Sequence, residues 1–330
     1  MQPFEFSRPA DLAQAIAAAH APDARPIAGG TELLNLMREG IYHPQRIFDL
    51  NGLGELARID VKPDGLAIGA LARLSDIAIH EAVVRDFPAI TQALLESASP
   101  QIRNMATIGG NLMQRTRCGY FRNGDIDAKC NKRATGSGCA AVDAGQVRDF
   151  AIFGASEACI ATHPSDVAVA LAALDARVHL RSAAAARTVP VVDFIRLPGT
   201  TPERDTDLRD DELIVAVEVP AAAAASSSVF LKLRDRASYE FALLSASAAL
   251  TLDHGRISTA RLALGGLAHR PWRFTGVEQA LTGIAPDDAQ IGTIIANELG
   301  KVPARPGSEI KLELAARLAL RAVRAAAGLV

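Results

Sequence analysis

The chain has 330 residues, 49% of them hydrophobic and 22% charged, with a formal net charge of −2. That length predicts two domains or three, and the apolar fraction excludes wholesale disorder. The near-neutral balance gives no footing for a nucleic-acid partner or an anionic membrane surface.

The N-terminus, MQPFEFSRPADLAQAIAAAH, lacks a basic segment followed by an apolar core, so no signal peptide is expected. No apolar run approaches the roughly 20 residues that span a bilayer. From Asp11 to His20 an alanine-rich pattern predicts a helix capped by Asp11. Pro26-Ile27-Ala28 reads as a short strand, Gly29-Gly30-Thr31 follows it, and Glu32 to Glu39 places Leu33, Leu36 and Met37 on one helical face. Strand, double glycine, hydroxyl and helix is the layout of an anion nest, in which bare backbone N–H groups converge. A tight turn explains the two glycines equally well.

Arg46 to Asn51 and Gly65 to Ala70 look like strands. Asp76 to His80 opens a helix with Ser75 as its cap, and Pro88 to Ser97 forms another. The double-glycine layout then recurs as Ala106-Thr107-Ile108-Gly109-Gly110-Asn111, leading into Leu112. Two such loops facing each other could hold a diphosphate between them, although neither matches a dinucleotide fingerprint or a P-loop.

Next comes a long loop-like stretch that contains every cysteine of the chain: Cys118, Cys130, Cys139 and Cys159, separated by eleven, eight and nineteen residues. Gly119, Gly124, Gly136 and Gly138, with Asn123, Asp125, Asn131 and Ser137, give it the composition of a loop. Three readings compete. Structural zinc takes its thiolates from closely spaced pairs, which are absent. Disulfides suit an oxidising compartment, but a chain this long buries a core without them. An iron–sulfur cluster tolerates irregular spacing. Arg115, Arg117, Arg122, Lys129, Lys132 and Arg133 surround the first two cysteines, and cations there would stabilise an anionic cluster and raise its potential. A solvated basic loop is the plainer reading of those charges.

After the loop, Ser165 is placed to cap a helix from Asp166 to Asp175. Arg177 to Val192 and Leu213 to Val219 alternate as strands do, and Ala221 to Ser228 reads as a linker. Val229 to Leu233, Ala242 to Leu252 and Ile257 to Leu267 predict strands, and Glu309 to Ala327 a long helix. His163 reads as a turn residue, and Trp272 and Tyr239 as packing residues. No hydrolase arrangement is visible.

Ala28-Gly29-Gly30-Thr31 and Thr107-Ile108-Gly109-Gly110-Asn111 resemble the two flavin-diphosphate motifs of the FAD-binding medium subunits of the xanthine oxidase and carbon monoxide dehydrogenase family, the molybdenum hydroxylases. Thr162-His163-Pro164-Ser165-Asp166, Asp210-Asp211-Glu212-Leu213-Ile214, Phe230-Leu231-Lys232 and Leu264-Gly265-Gly266-Leu267-Ala268 are similar to further family segments in the same order. The resemblance covers essentially the whole chain. It implies an α+β fold: a two-subdomain FAD-binding domain of the PCMH and vanillyl-alcohol-oxidase kind over residues 1–222, then a small α+β domain over 226–330 that closes over the flavin.

The resemblance further implies FAD contacts from Pro26, Ile27, Ala28, Gly29, Gly30, Thr31, Glu32, Ala106, Thr107, Gly109, Gly110, Asn111, Asp166, Ile214 and Lys232. Most family members lack the cysteine loop. Those that carry it, among them the flavoprotein subunits of periplasmic aldehyde oxidases and the beta subunits of 4-hydroxybenzoyl-CoA reductases, hold an additional [4Fe–4S] cluster. Arg115-Thr116-Arg117-Cys118, Cys130-Asn131-Lys132-Arg133 and Gly136-Ser137-Gly138-Cys139 are most similar to the aldehyde oxidase type. By that likeness Cys118, Cys130, Cys139 and Cys159 bind one cluster in a loop inserted at about 115–160. The implied function is electron transfer from [2Fe–2S] clusters of a small partner, through FAD, to an external acceptor. Substrate oxidation would belong to a large molybdenum-cofactor subunit of a heterotrimer. The implied location is the periplasm, by export with a signal-bearing partner, or the cytoplasm. The alternatives are a 4-hydroxybenzoyl-CoA reductase-like subunit passing electrons inward, and a zinc- or disulfide-stapled interaction protein whose glycines only turn the chain.

Overall fold

A computed structural model describes residues 2–124, 127–221, 227–303 and 305–329. The N-terminal unit is a parallel sheet of β1 (Glu5–Ser7), β2 (Ala24–Ile27) and β3 (Arg46–Asp49), in the order β1-β3-β2. Parallel neighbours need crossovers, and the helices Leu12–Ala19 and Leu33–Arg38 supply them. Asp11 caps the first of these, its carboxylate accepting from the Gln14 amide at 2.8 Å. Ala15 and Ile16 on that helix bury against Phe48 and Leu50.

A five-stranded antiparallel sheet follows: β4 (Ile59–Lys62), β5 (Gly65–Gly69), β6 (Arg177–Arg181), β7 (Ala186–Pro190) and β8 (Leu213–Pro220), ordered β4-β5-β8-β6-β7. Its core is shared with the helices Leu74–Ile79, Pro88–Leu95 and Asp166–Ala173. The C-terminal unit is a second antiparallel sheet of β9 (Ser228–Leu233), β10 (Leu244–Asp253), β11 (Arg256–Gly265) and β12 (Trp272–Arg273), ordered β12-β11-β10-β9. The helices Thr275–Leu281, Asp288–Gly300 and Glu309–Ala326 complete its core. The molecule is thus a two-domain α+β protein.

Helix Asp166–Ala173 explains how the two domains join. All eight of its residues are buried, as expected for a segment whose seven residues after Asp166 are apolar all round. It packs on helix Pro88–Leu95 of its own domain and on β10 and β11 of the other. Ser165 caps it, its hydroxyl accepting from the Ala168 amide at 3.1 Å.

Several expectations need correction. Ser75 is not a cap: the helix begins at Leu74 with Arg73 at its cap position, and the Ser75 hydroxyl bonds Asp76 instead. The double glycine at 109–110 does not precede a helix but lies within one, Ile108–Leu112. The cysteine stretch contains two single helical turns, Gly119–Arg122 and Ala140–Asp143. Trp272 packs against Phe153, ring centroids 5.5 Å apart. Tyr239 is not a core residue: it is 57% exposed, on a positive φ, with the Arg236 guanidinium 6.0 Å over its ring. Most of the Ala221–Ser228 linker, residues 222–226, lies outside the described residues.

Candidate functional site

The first double glycine follows β2. Gly30 adopts φ +72°, a region open to glycine and strained for other residues, and its carbonyl accepts from the Leu34 amide at 3.1 Å. The amides of Gly29, Gly30, Thr31 and Glu32 find no acceptor among the described residues. Successive N–H groups without a protein acceptor are free to donate to an anion, so this turn is an open nest. Pro26 and Ile27 pair with Phe48 and Asp49 and hold the strand that delivers it.

The second double glycine is built differently. Thr107 caps its helix, the hydroxyl accepting from Gly110 N–H at 3.2 Å, and the Gly109 amide donates to the Ala70 carbonyl at 2.9 Å. Those amides are spent inside the protein. A Cβ on Gly109 would stand 3.0 Å from the Ala70 carbonyl oxygen, whereas one on exposed Gly110 would meet only the Thr107 hydroxyl, at 3.1 Å.

The two turns touch. A Cβ on Gly29 would lie 1.9 Å from the Met105 carbonyl oxygen, so backbone rests on backbone and only glycine fits. Arg73 clamps the pair: its guanidinium donates to the Met105 carbonyl and, at 2.7 Å, to Asn51, whose amide donates to the Ala28 carbonyl at 2.9 Å. Ala106 completes the seam by accepting from the Leu74 amide. Asn111 accepts from the Ser165 hydroxyl and so joins the second turn to the cap of helix Asp166–Ala173. Ile214 is buried on β8, next to Val215, whose carbonyl accepts from the Ala70 amide.

Asp166 and Lys232 form a buried ion pair across the domains, 2.7 Å apart. Ser97 also donates to Asp166 at 3.0 Å, and Lys232 to the Glu96 carbonyl at 3.0 Å. Burial pushes the Asp166 carboxyl up, against the pull of Lys232 and Ser97. Both side chains are committed to this joint.

Cys118, Cys130, Cys139 and Cys159 line one small cavity, walled by Phe121, Phe150 and Ile160. Cys130 and Cys139 face each other across an isolated bridge, and all four thiols are free. Among the described residues no three His, Cys, Asp or Glu side chains converge closely enough for a single metal ion. Burial raises the Cys118 thiol, and raises Cys159 to about 11. Cys159 is the most buried corner, and the His269 Nε2 lies 3.3 Å from its sulfur. Burial also holds His269 neutral, its value lowered to about 3.

The cations are less available than the sequence suggests. Glu32 accepts from two groups of the cysteine loop, the Arg115 amide at 2.8 Å and the Arg122 guanidinium, and forms an ion pair with Arg117 at 3.0 Å. Asp205 pairs with both Arg115 and Lys132, and Lys132 also donates to the Pro202 carbonyl at 2.7 Å. Burial alone would raise the Asp205 carboxyl, but Lys132 and Arg115 outweigh it and hold it below the usual carboxylate range. Lys132 is still felt at Cys159, where it favours the thiolate. Glu32 therefore ties the nest to the cysteine loop. Arg73, Asn51, Asp205 and His269 were not predicted, because each acts across a long sequence separation and carries no spacing signal of its own.

Comparison with known proteins gives matches over both domains. Residues 2–222 match the family described as the FAD binding domain in molybdopterin dehydrogenase, and 229–326 the CO dehydrogenase flavoprotein C-terminal domain. The chain is 47% identical to the aldehyde oxidoreductase FAD-binding subunit PaoB of Escherichia coli (strain K12), covering 86% of this chain and 87% of that one. It is 30% identical to the glyceraldehyde dehydrogenase medium chain of Sulfolobus acidocaldarius, covering 86% and 83%. Its fold is similar to a chain of quinoline 2-oxidoreductase from Pseudomonas putida 86, with a TM-score of 0.74, 26% identity, and 99% and 98% coverage.

Proposed function

We propose that this chain, which belongs to the FAD-binding subunits of the molybdenum hydroxylase family, is the flavin and iron–sulfur subunit of an aldehyde-oxidising complex. The observation that carries the flavin site is the open nest at Gly29–Glu32, set inside the FAD-binding domain. Its free amides would receive a diphosphate. Gly110, exposed and without a side chain, would leave the opposite wall open. Pro26, Ile27, Ala28 and Thr31 frame the nest, and Ala106, Thr107, Gly109 and Asn111 hold the facing turn in place. The Asp166–Lys232 pair and buried Ile214 would fix the two domains around the ring system.

Four free thiols around one cavity fit an iron–sulfur cluster by donor type and number. The cavity's free volume is small, about 10 Å3, so the thiols must swing outward to accept a [4Fe–4S] group. Cys118, Cys130 and Cys139 are only half-buried, while Cys159 is the buried corner. When bound, the two cofactors supply one- and two-electron transfer. This chain's residues supply binding, orientation and exclusion of water. Substrate oxidation lies on a large subunit with a molybdenum cofactor, and a small subunit carries [2Fe–2S] clusters, in a heterotrimer.

The test is the purified complex and this chain alone. The complex should contain FAD, with iron in excess of that owed to the [2Fe–2S] partner, and should oxidise aldehydes. The isolated chain, flavin-loaded, should not. Aldehyde turnover by this chain alone, or a colourless protein, overturns the reading.

A further inference from the structure

The C-terminal domain touches the walls of the cysteine site at several places, Lys311 donating to the Phe150 carbonyl at 2.8 Å among them, but among the described residues it reaches a sulfur through one side chain. His269, in the connection between β11 and β12, places Nε2 3.3 Å from the Cys159 sulfur, and both residues are buried. It is the one side chain among the described residues that makes a hydrogen bond to any of the four sulfurs. Its position is fixed by neighbouring backbone: the Ile152 and Phe153 amides donate to the Leu267 carbonyl at 2.8 and 3.0 Å, and the His163 amide to Ala268 at 3.2 Å. Cys159 is pinned in turn by reciprocal backbone bonds with Ser156, at 3.1 and 3.2 Å.

A neutral imidazole carries one proton, so only one ring nitrogen can donate. Nδ1 is buried and meets no partner among the described residues. A proton there would be an orphaned donor, and the bare Nε2 would point its lone pair at sulfur. A proton on Nε2 leaves only an unused lone pair at Nδ1, the less costly omission. Against a thiolate this tautomer is the favoured one.

We infer that His269 is a positioning residue that donates its Nε2–H to the Cys159 sulfur and thereby sets the potential of the cluster that Cys159 helps to hold; this rests on the iron–sulfur reading above. The reduced cluster carries one more negative charge than the oxidised one. A hydrogen bond to a ligating sulfur therefore favours the reduced form and raises the potential.

The experiment uses the assembled complex in three versions: unaltered, His269→Leu and His269→Gln. Glutamine can place its amide N–H where Nε2 stands; leucine cannot donate. Iron is counted, and the cluster's EPR signal is followed in a redox titration. His269→Leu should lower the ratio of reduced to oxidised cluster about tenfold at a fixed potential, about 59 mV for one electron. His269→Gln should stay within about twofold, as the retained charged hydrogen bond requires. Loss of the cluster in the leucine variant with retention in the glutamine variant also supports the inference. If the two variants behave alike, whether unchanged, equally shifted or equally depleted, His269 does not act as a donor. If the unaltered complex holds only its partner's iron, the iron–sulfur reading itself falls, and this inference with it.

Discussion

The glycine turns and the cysteine loop are both irregular backbone, yet they are held still by different means. The turns are locked by main chain: Gly29 lies against the Met105 carbonyl, Gly109 against Ala70, and Arg73 bonds to both sides. The cysteine loop is tied by charge, through Glu32 and Asp205, around a cavity. A site locked by backbone is preformed, whereas one closed around a cavity depends on what fills it. Within the turns a second contrast appears, since the first offers free amides and the second only a shape.

The strongest way to break this comparison is to remove a cysteine. Replacing Cys118, Cys130, Cys139 or Cys159 with Ser should lower iron by up to about four atoms per chain. The loop should become protease-sensitive while FAD is largely retained, because the turns do not rely on it. Full iron and an unchanged EPR signal in Cys159→Ser, beside their loss in Cys118→Ser, would remove Cys159 from the ligand set.

Lys132→Met should be nearly as disruptive. It strips one of two cations from Asp205, and because Arg115 remains the cost should fall below the about 3–5 kcal/mol of a fully broken buried pair. Chemical denaturation and limited proteolysis should both report it. Asp205→Asn should be at least as damaging, since its one amide oxygen can serve only one of the two donors and both cations lose their counter-charge. Unchanged stability and protease resistance in that variant would mean that charge is not what ties the loop.

The two turns separate by their glycines. Gly29→Ala drives a methyl into the Met105 carbonyl, which should cost about 1–3 kcal/mol and release FAD. Gly110→Ala meets only the Thr107 hydroxyl, at 3.1 Å, so the helix gain and the crowded cap offset each other and thermal stability should change by less than about 1 kcal/mol. Gly110→Val should nevertheless prevent FAD retention, measured as bound flavin per chain. Stoichiometric FAD in that variant would show that this glycine serves only the helix. The smallest effect is expected at Ser165→Ala, about 1 kcal/mol for a lost cap. Loss of the Asn111 contact should loosen the second turn, visible as faster amide exchange there.

Much of the site was legible in the sequence because its signals are local. Glycine next to glycine after an apolar run marks a turn, and a serine before an apolar octet marks a cap at Ser165. Cysteines confined to one stretch mark a shared site, and the resemblance located the flavin motifs. The strands and the long terminal helix followed from periodicity within short windows. What the chain could not disclose is who meets whom at long range. That Glu32 would turn toward three arginines of the cysteine loop, that Asp166 would be claimed by Lys232, and that His269 would reach Cys159 across 110 residues were decided by packing. The physical reason is that a charge or an imidazole has no periodic signature; its partner is set by which surfaces the buried helix Asp166–Ala173 brings together. Sequence determined the two turns, the four thiols and the family; tertiary structure decided that only one turn keeps its amides free, and which side chain stands behind the fourth sulfur.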